Sequence, residues 1–366
     1  MSFPTNDPIS SLPLISADLP GVGGQLRLTP DHFIVEELPL YEPQGDGPHL
    51  YLSITKVGLT TKEVQIGLER LLGLGRGEVG YAGLKDKAAR TTQTFSVPVN
   101  AQRSDGDDAL VQRVCDTLPV TVNWARRHRN KLKAGHLLGN HFTIIISDLA
   151  QPPDVALAAG EAIVQRILHG GMPNYFGRQR FGGHGDNADQ GLEILLGRRQ
   201  VRDHWLRRFL ISAFQSDLCN RYLAQRVEMG AFSHLLDGDV AKKHATGGMF
   251  DVKDAATEQP RYDSQEISFT APLYGFKMWP AQRAAAQLET SVLAETGLTD
   301  DRWRIAKIEG TRRLGRLLTP DLRLATDTEG LRVTFSLPKG GFATTLLREI
   351  MKNETDDLPE EQVDFG

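Results

Sequence analysis

HLYLSITKVGLTTKEVQIGLERLL, residues 49–72, changes its hydrophobic period halfway along. From His49 to Lys56, Leu50, Leu52 and Ile54 recur at period two, which predicts a strand with one buried face. Past Gly58 the spacing becomes Val64, Leu68, Leu71 and Leu72, the stripe of an amphipathic helix. Thr60-Thr61-Lys62-Glu63 supplies the capping box that starts it. A strand followed by a helix packed on the same sheet puts the chain among proteins that mix the two.

Working outward, strands are predicted at Gln25 to Leu28, Phe33 to Leu38, Thr92 to Val97, Val120 to Trp124 and Phe142 to Ser147. A helix opens at Asp154 and runs to about His169, with Val155, Ile163 and Ile167 inward and Gly170-Gly171 as its stop. Residues 172–317 read as mostly helical, with Arg-rich faces and short strand candidates. Their longest helix spans Trp205 to about Met229, with Leu206, Phe209, Leu210, Ala213 and Phe214 on one stripe. Leu331 to Leu337 alternates as a strand again, and a helix follows from about Ala343 to Lys352. Strand-rich ends around a helical middle predict one discontinuous α+β domain, residues 1–170 plus 318–366, interrupted by an inserted domain at 171–317.

The 366 residues carry 42 basic and 46 acidic side chains, a net charge of −4. Residues 351–366 hold six of the acids and one base, so 41 bases face 40 acids elsewhere. Only the local placement of charge therefore bears on a nucleic-acid partner. Cys115 and Cys219 form no CxxC pair, which points to neither a thiolate metal site nor a disulfide framework and fits a reducing cytoplasm. No run approaches the roughly 18 apolar residues of a membrane span, and the N-terminus lacks a basic segment leading into an apolar one. GRGEVG, residues 75–80, fits GxGxxG but follows a helix instead of a strand, so no dinucleotide site is expected. GxxxxGK[ST], GxSxG and HExxH are absent, and His128, His136 and His141 lack ligand spacing. Neither a metal nor a cofactor is expected.

Three segments carry chemistry. In GLKDK, residues 83–87, Asp86 sits between two ammonium groups, a setting that favours the ionised carboxylate. Arg90, Thr91, Thr92 and Gln93 follow with donors and acceptors able to hold it. WARRHRNKLK, residues 124–133, holds five positive side chains and no acid, then Gly135, Gly139, Asn140 and Phe142, a composition suited to a phosphate backbone. NYFGRQRFG, residues 174–182, interleaves aromatics with arginines, which suits base stacking and phosphate contact or, alternatively, a core in which Tyr175, Phe176 and Phe181 hold two domains together.

These residues carry a family resemblance. NYFGRQRFG resembles the hallmark of the tRNA pseudouridine synthase D (TruD) family. Ala82-Gly83-Leu84-Lys85-Asp86 with Thr91 and Gln93 is similar to that family's catalytic-aspartate motif. Arg129-Asn130-Lys131-Leu132 with Gly135, Gly139, Asn140 and Phe142 resembles a further block, and Phe33 to Glu37 the family's early strand. Pro338, Gly340, Phe342, Ala343 and Thr344 complete the set, all in family order. The resemblance implies a pseudouridine-synthase-type α+β catalytic domain with a mixed or antiparallel sheet, interrupted by a family-specific α+β insertion. It implies isomerisation of uridine to pseudouridine at position 13 of tRNA, in the D arm, by one carboxylate, without metal or cofactor. Asp86 is then the catalytic aspartate, kept ionised by Lys85 and nearby cations. Phe142 stacks on the flipped base, Asn140 positions Asp86 or the base, and Phe33 and Phe342 wall the pocket. Arg126, Arg127, Arg129 and Lys133, with Arg178, Arg180, Arg207 and Arg208, are expected to bind RNA phosphates. The expected partner is tRNA, and the expected state a cytoplasmic monomer. The alternative is an idle RNA-binding protein that keeps the fold.

Overall fold

The computed structural model describes residues 9–26, 29–99 and 106–353. Residues 27–28 of the first predicted strand and most of the acidic tail lie outside the described residues.

Two compact units emerge. Val22–Glu161 and Asp321–Gly340 make the first. Its described strands are β1 (Gln25–Leu26), β2 (Phe33–Pro39), β3 (His49–Lys56), β4 (Gly80–Tyr81), β5 (Arg90–Pro98), β6 (Val120–His128) and β7 (Leu137–Ser147), joined late in the chain by β14 (Arg323–Asp327) and β15 (Gly330–Pro338). They form one sheet in the order β14-β15-β7-β2-β5-β3-β6, with β1 on β7 and β4 on β5. Every pairing is antiparallel except β2 with β5, so the sheet is mixed.

The period change read at residues 49–72 builds the core of this unit. Leu50, Leu52 and Ile54 of β3 are fully buried beside Phe95 and Val97 of β5. Val64 and Leu68 of helix α1 (Thr61–Leu72) pack on them, as do Leu110 and Val114 of helix α2 (Gly106–Thr117). Helix α2 has no counterpart in the sequence reading, because those two buried positions are too few to set up a visible stripe. In β15, Leu331, Val333, Phe335 and Leu337 are buried at period two, as expected.

Ala162–Pro320, with residues 9–21 and 341–353, makes the second unit. Here β8 (Met172–Pro173) pairs with β13 (Arg316–Leu317). A separate antiparallel sheet runs β10-β9-β11-β12, from β9 (Val240–Lys243), β10 (Met249–Asp251), β11 (Ile267–Leu273) and β12 (Thr311–Leu314). This four-stranded sheet corrects the mostly helical reading of the middle segment: three of its strands are four residues or shorter, too brief to show a period. The same unit holds α4 (Asn187–Leu195), α5 (His204–Glu228), α6 (Ala255–Asp263), α7 (Arg283–Ala294), α8 (Asp300–Ala306) and α9 (Ala343–Met351), with α5 and α6 packed on β11. Arg226 of α5 is fully buried and bridges both carboxylate oxygens of Asp239 at 2.7 and 2.8 Å. Among the positions predicted inward on α5, Leu206 is exposed while Leu210, Ala213 and Phe214 are buried.

These units are drawn elsewhere than the expected limits of 1–170 plus 318–366 against 171–317. Residues 9–21, 162–170, 318–320 and 341–353 group with the middle segment. Contacts within that unit give the reason. Tyr175 Oη donates to the Pro13 carbonyl, Arg166 donates to that of Ile15, and the Phe176 ring lies 5.9 Å from that of Phe342. Helix α3 (Pro153–Gly170) runs through the division without a break. On it Val155 is 47% exposed, against the inward position predicted, while Ile163 and Ile167 are buried with Ala156 and Val164. No helix among the described residues is long and apolar enough to cross a membrane.

Candidate active site

The buried face of the first unit's sheet is apolar except in one place. Register puts Phe142 beside Val35 and Phe335, and Asn140 beside Glu37 and Leu337. Val35 in turn neighbours Thr91, whose partner on β3 is Lys56, while Gln93 pairs with Ile54. Side chains directly opposite each other share a face. Glu37, Lys56, Thr91, Gln93 and Asn140 therefore form a polar cluster on a hydrophobic sheet. Gly139 belongs to the same neighbourhood: a Cβ there would run into the Leu337 carbonyl, so only glycine permits β7 and β15 to approach so closely.

The connection from β4 to β5, residues 82–89, lies over this cluster and carries Asp86. Its backbone is anchored from below. Gln93 Nε2 donates to the Gly83 carbonyl at 2.9 Å, and the Lys85 N–H donates to Thr61 Oγ1, itself donating to Gln93 Oε1. Asp86 is 3% exposed, and its Oδ1 accepts the Ala88 N–H at 2.9 Å. The Lys56 ammonium donates to the carbonyl of Asp86 at 2.9 Å and to that of Leu59 at 2.6 Å. Burial pushes Lys56 down to about 8, against the pull of Asp86 and with that of Lys85.

The Lys85 Nζ meets Glu37 Oε2 at 2.8 Å, both side chains being almost wholly buried, and the other Glu37 oxygen accepts the Thr94 N–H. The cation whose ammonium bonds the Asp86 backbone is Lys56, which the motif reading left out. A signal existed: Lys56 continues the series Leu50, Leu52, Ile54 and is the one charged member of a buried stripe. Glu37 could be read only as part of an early strand.

Of the expected pocket residues, Phe33, Asn140 and Phe142 share this face, and Lys85 reaches it from the loop through Glu37. Phe142 is buried, stacked on Phe335 at 5.0 Å and edge-on to Phe33 at 6.3 Å. Asn140 Oδ1 and Thr91 Oγ1 are buried with no hydrogen-bond partner among the described residues, two acceptors inside the cluster. Phe342 belongs to the other unit, where it caps α9 and packs on Phe176.

A cleft of about 560 Å³, more basic than acidic, opens elsewhere on the first unit, lined by Tyr41, Glu42, Gln44, His49, His128, Arg129, Asn130, Lys131, Lys133 and His136. Tyr41 stacks on His128 at 5.1 Å, and its hydroxyl lies 2.7 Å from His136 Nδ1. Two of the expected RNA-binding arginines are already paired: Arg127 with Asp107 through two bonds, and Arg129 with Asp46. Arg126 is exposed over the Trp124 ring, and Lys133 is exposed.

NYFGRQRFG is built into the second unit. The Asn220 amide receives the Phe176 N–H and donates to the Phe176 carbonyl, as a neighbouring strand would. Asn174 Nδ2 donates to the Leu314 carbonyl, and the Arg313 guanidinium lies 4.0 Å from the Phe176 ring. Tyr175, Phe176 and Phe181 are buried, which is the core reading of the motif. Arg180 is buried as well, donating to Ser216 and Ser212, and burial lowers its pKa to about 10. Arg178 is half-buried in the short turn Arg178–Phe181. Arg207 is half-buried and Arg208 exposed in the first turns of α5.

The family model described as tRNA pseudouridine synthase D (TruD) matches residues 12–200 and 197–350. A tRNA pseudouridine synthase D of Anaeromyxobacter sp. (strain Fw109-5) is 43% identical, covering 97% of this chain and all of its own. One from Thermus thermophilus is also 43% identical, over 94% of this chain and 93% of its own. A solved structure from Methanosarcina mazei shares the fold, with a TM-score of 0.78 over 96% of this chain and 99% of that one at 24% identity.

Proposed function

The chain belongs to the tRNA pseudouridine synthase D (TruD) family, and from that premise we propose that it isomerises uridine to pseudouridine in tRNA, at position 13 of the D arm, with Asp86 as the acting carboxylate. The observation that carries the role of Asp86 is the anchored loop: a single carboxylate held by its backbone over a polar cluster in an apolar sheet face. In the reaction the N1–C1′ bond breaks, the uracil turns, C5 bonds to C1′, the hydrogen on C5 leaves as a proton and N1 takes up a proton. An ionised carboxylate serves each route to that outcome, whether it attacks C1′, adds to the base or removes a 2′ proton.

A base must leave its stack to reach Asp86. In this reading Asn140 positions the base, its unpartnered oxygen accepting a base N–H, or holds Asp86 through its amide N–H, while Phe33 and Phe142 form the apolar floor on which the base rests. Arg129 and Lys133 take RNA phosphates from the lining of the first unit's cleft, and Arg126 and Arg127 from the strand β6 beside them. On the second unit Arg178 does the same, and Arg180 contributes from inside by fixing the segment that carries it. Residues 1–170 plus 318–366 serve as the catalytic domain and 171–317 as the family's own insertion, working as a monomer in the cytoplasm.

The test uses tRNA tritiated at uridine C5. Wild-type protein is expected to release tritium to water, and Asp86→Asn to abolish release while still binding tRNA. A tRNA with cytidine at position 13 is expected to give no release. Free uracil among the products, or undiminished release by Asp86→Asn, would overturn the assignment.

A further inference from the structure

Lys56 is 1% exposed at the end of the apolar face of β3. Its ammonium donates to the backbone carbonyls of Leu59 at 2.6 Å, Asp86 at 2.9 Å and Lys85 at 3.5 Å. An ammonium has three protons to give, and here three carbonyls receive them. Two of those carbonyls belong to the loop that carries Asp86, and the third to the turn that leads into α1.

Resting on the isomerase reading above, we propose that Lys56 is a positioning residue for the reaction. Its charged ammonium fixes the backbone that presents Asp86 and keeps positive charge beside that carboxylate. A purely structural part fits this lysine poorly, because burying an ammonium is costly where an apolar side chain of similar length would not be. The groups that face it are Asp86 and Lys85 from the loop and Glu63 from α1, with Glu37 holding Lys85 from behind.

Two consequences move in opposite directions with pH. Desolvation lowers the pKa of Lys56 from 10.5 to about 8, so the folded protein gives up this proton before the unfolded chain does. In that range the unfolded state binds more protons, and the contribution of Lys56 to stability rises with pH. Neutral Lys56 has two protons for three carbonyls and no charge, so activity falls while stability does not. A lysine needed only for folding would not separate the two.

The experiment measures single-turnover tritium release, tRNA affinity and the urea midpoint for wild type, Lys56→Met and Lys56→Arg between about pH 6 and pH 9.5. Wild-type rate is expected to fall about tenfold per pH unit above about 8 with no matching drop in the urea midpoint. Lys56→Met is expected to be about 100-fold slower at neutral pH, with tRNA affinity within about threefold, since misplacing a reacting group by about 1 Å costs that much. Lys56→Arg, which keeps its charge, is expected to recover part of the rate and to carry the alkaline decline to higher pH. A folded Lys56→Met enzyme at wild-type rate would overturn the inference. Should that variant not fold, a wild-type rate that stays flat to about pH 9.5 would overturn it equally. Wild-type protein that releases no tritium at any pH would overturn the isomerase reading and this inference with it.

Discussion

Glu37 and Lys85 meet at 2.8 Å with both side chains 3% exposed, and the pair holds the Asp86 loop to β2. Removing one partner strands the other charge in a dry place, a loss of about 3–5 kcal/mol, much larger than the pair's net worth. Glu37→Ala is accordingly expected to lower the unfolding free energy in urea by about that amount, and a second change, Lys85→Met, to restore most of it. Simple additivity of the two changes would contradict the pairing. At this scale the sequence was partly legible. Asp86 stood out because its neighbours are charged, whereas Asn140 and Phe142 were marked only by their place in the family motif. Which carboxylate Lys85 would meet was not legible, since Glu37 lies 48 positions away and only the register of β2 brings it near.

Helix α1 begins as its residues dictate. Thr60 Oγ1 accepts the Glu63 N–H at 3.1 Å, and Glu63 Oε2 accepts the Thr60 N–H at 2.6 Å. Thr60→Ala should destabilise the protein by about 1 kcal/mol in urea unfolding, with no change in slope. The Thr60 N–H and then the Lys87 ammonium hold Glu63 down to about 2, from an ordinary 4.5. A depressed carboxylate stabilises above its unfolded value, so this contribution is complete above about pH 4.5 and is lost as pH falls toward 2. The element-scale reading succeeded where one face is buried and the other wet, as in β3, α1 and β15. It missed α2 and the small sheet of the second unit, whose short buried runs show no contrast between faces.

Over the whole molecule, 42 bases and 46 acids nearly cancel, so any grip on RNA depends on where the cations stand. Arg127 and Arg129 are offset by Asp107 and Asp46, whereas Arg126 lies over an indole and Lys133 is exposed. Reversing Arg126 and Lys133 to Glu together should flatten the dependence of log Kd on log salt by about 2, roughly 1 per lost phosphate contact. Arg127→Gln should change it by less than about 1, because Asp107 already balances that charge. An unchanged slope in the double variant would remove these two residues from the RNA contact. By itself the sequence determined the strand and helix types around residues 49–72 and the motif order that marks the family, because period and spacing are local and survive in one dimension. It also offered a core reading of NYFGRQRFG beside a binding one; the tertiary structure settled its three aromatics as core. Tertiary structure alone decided that Lys56 reaches the Asp86 carbonyl and that Lys85 turns to Glu37. Those meetings depend on strand register and on the exclusion of water, which chain-neighbour patterns do not encode.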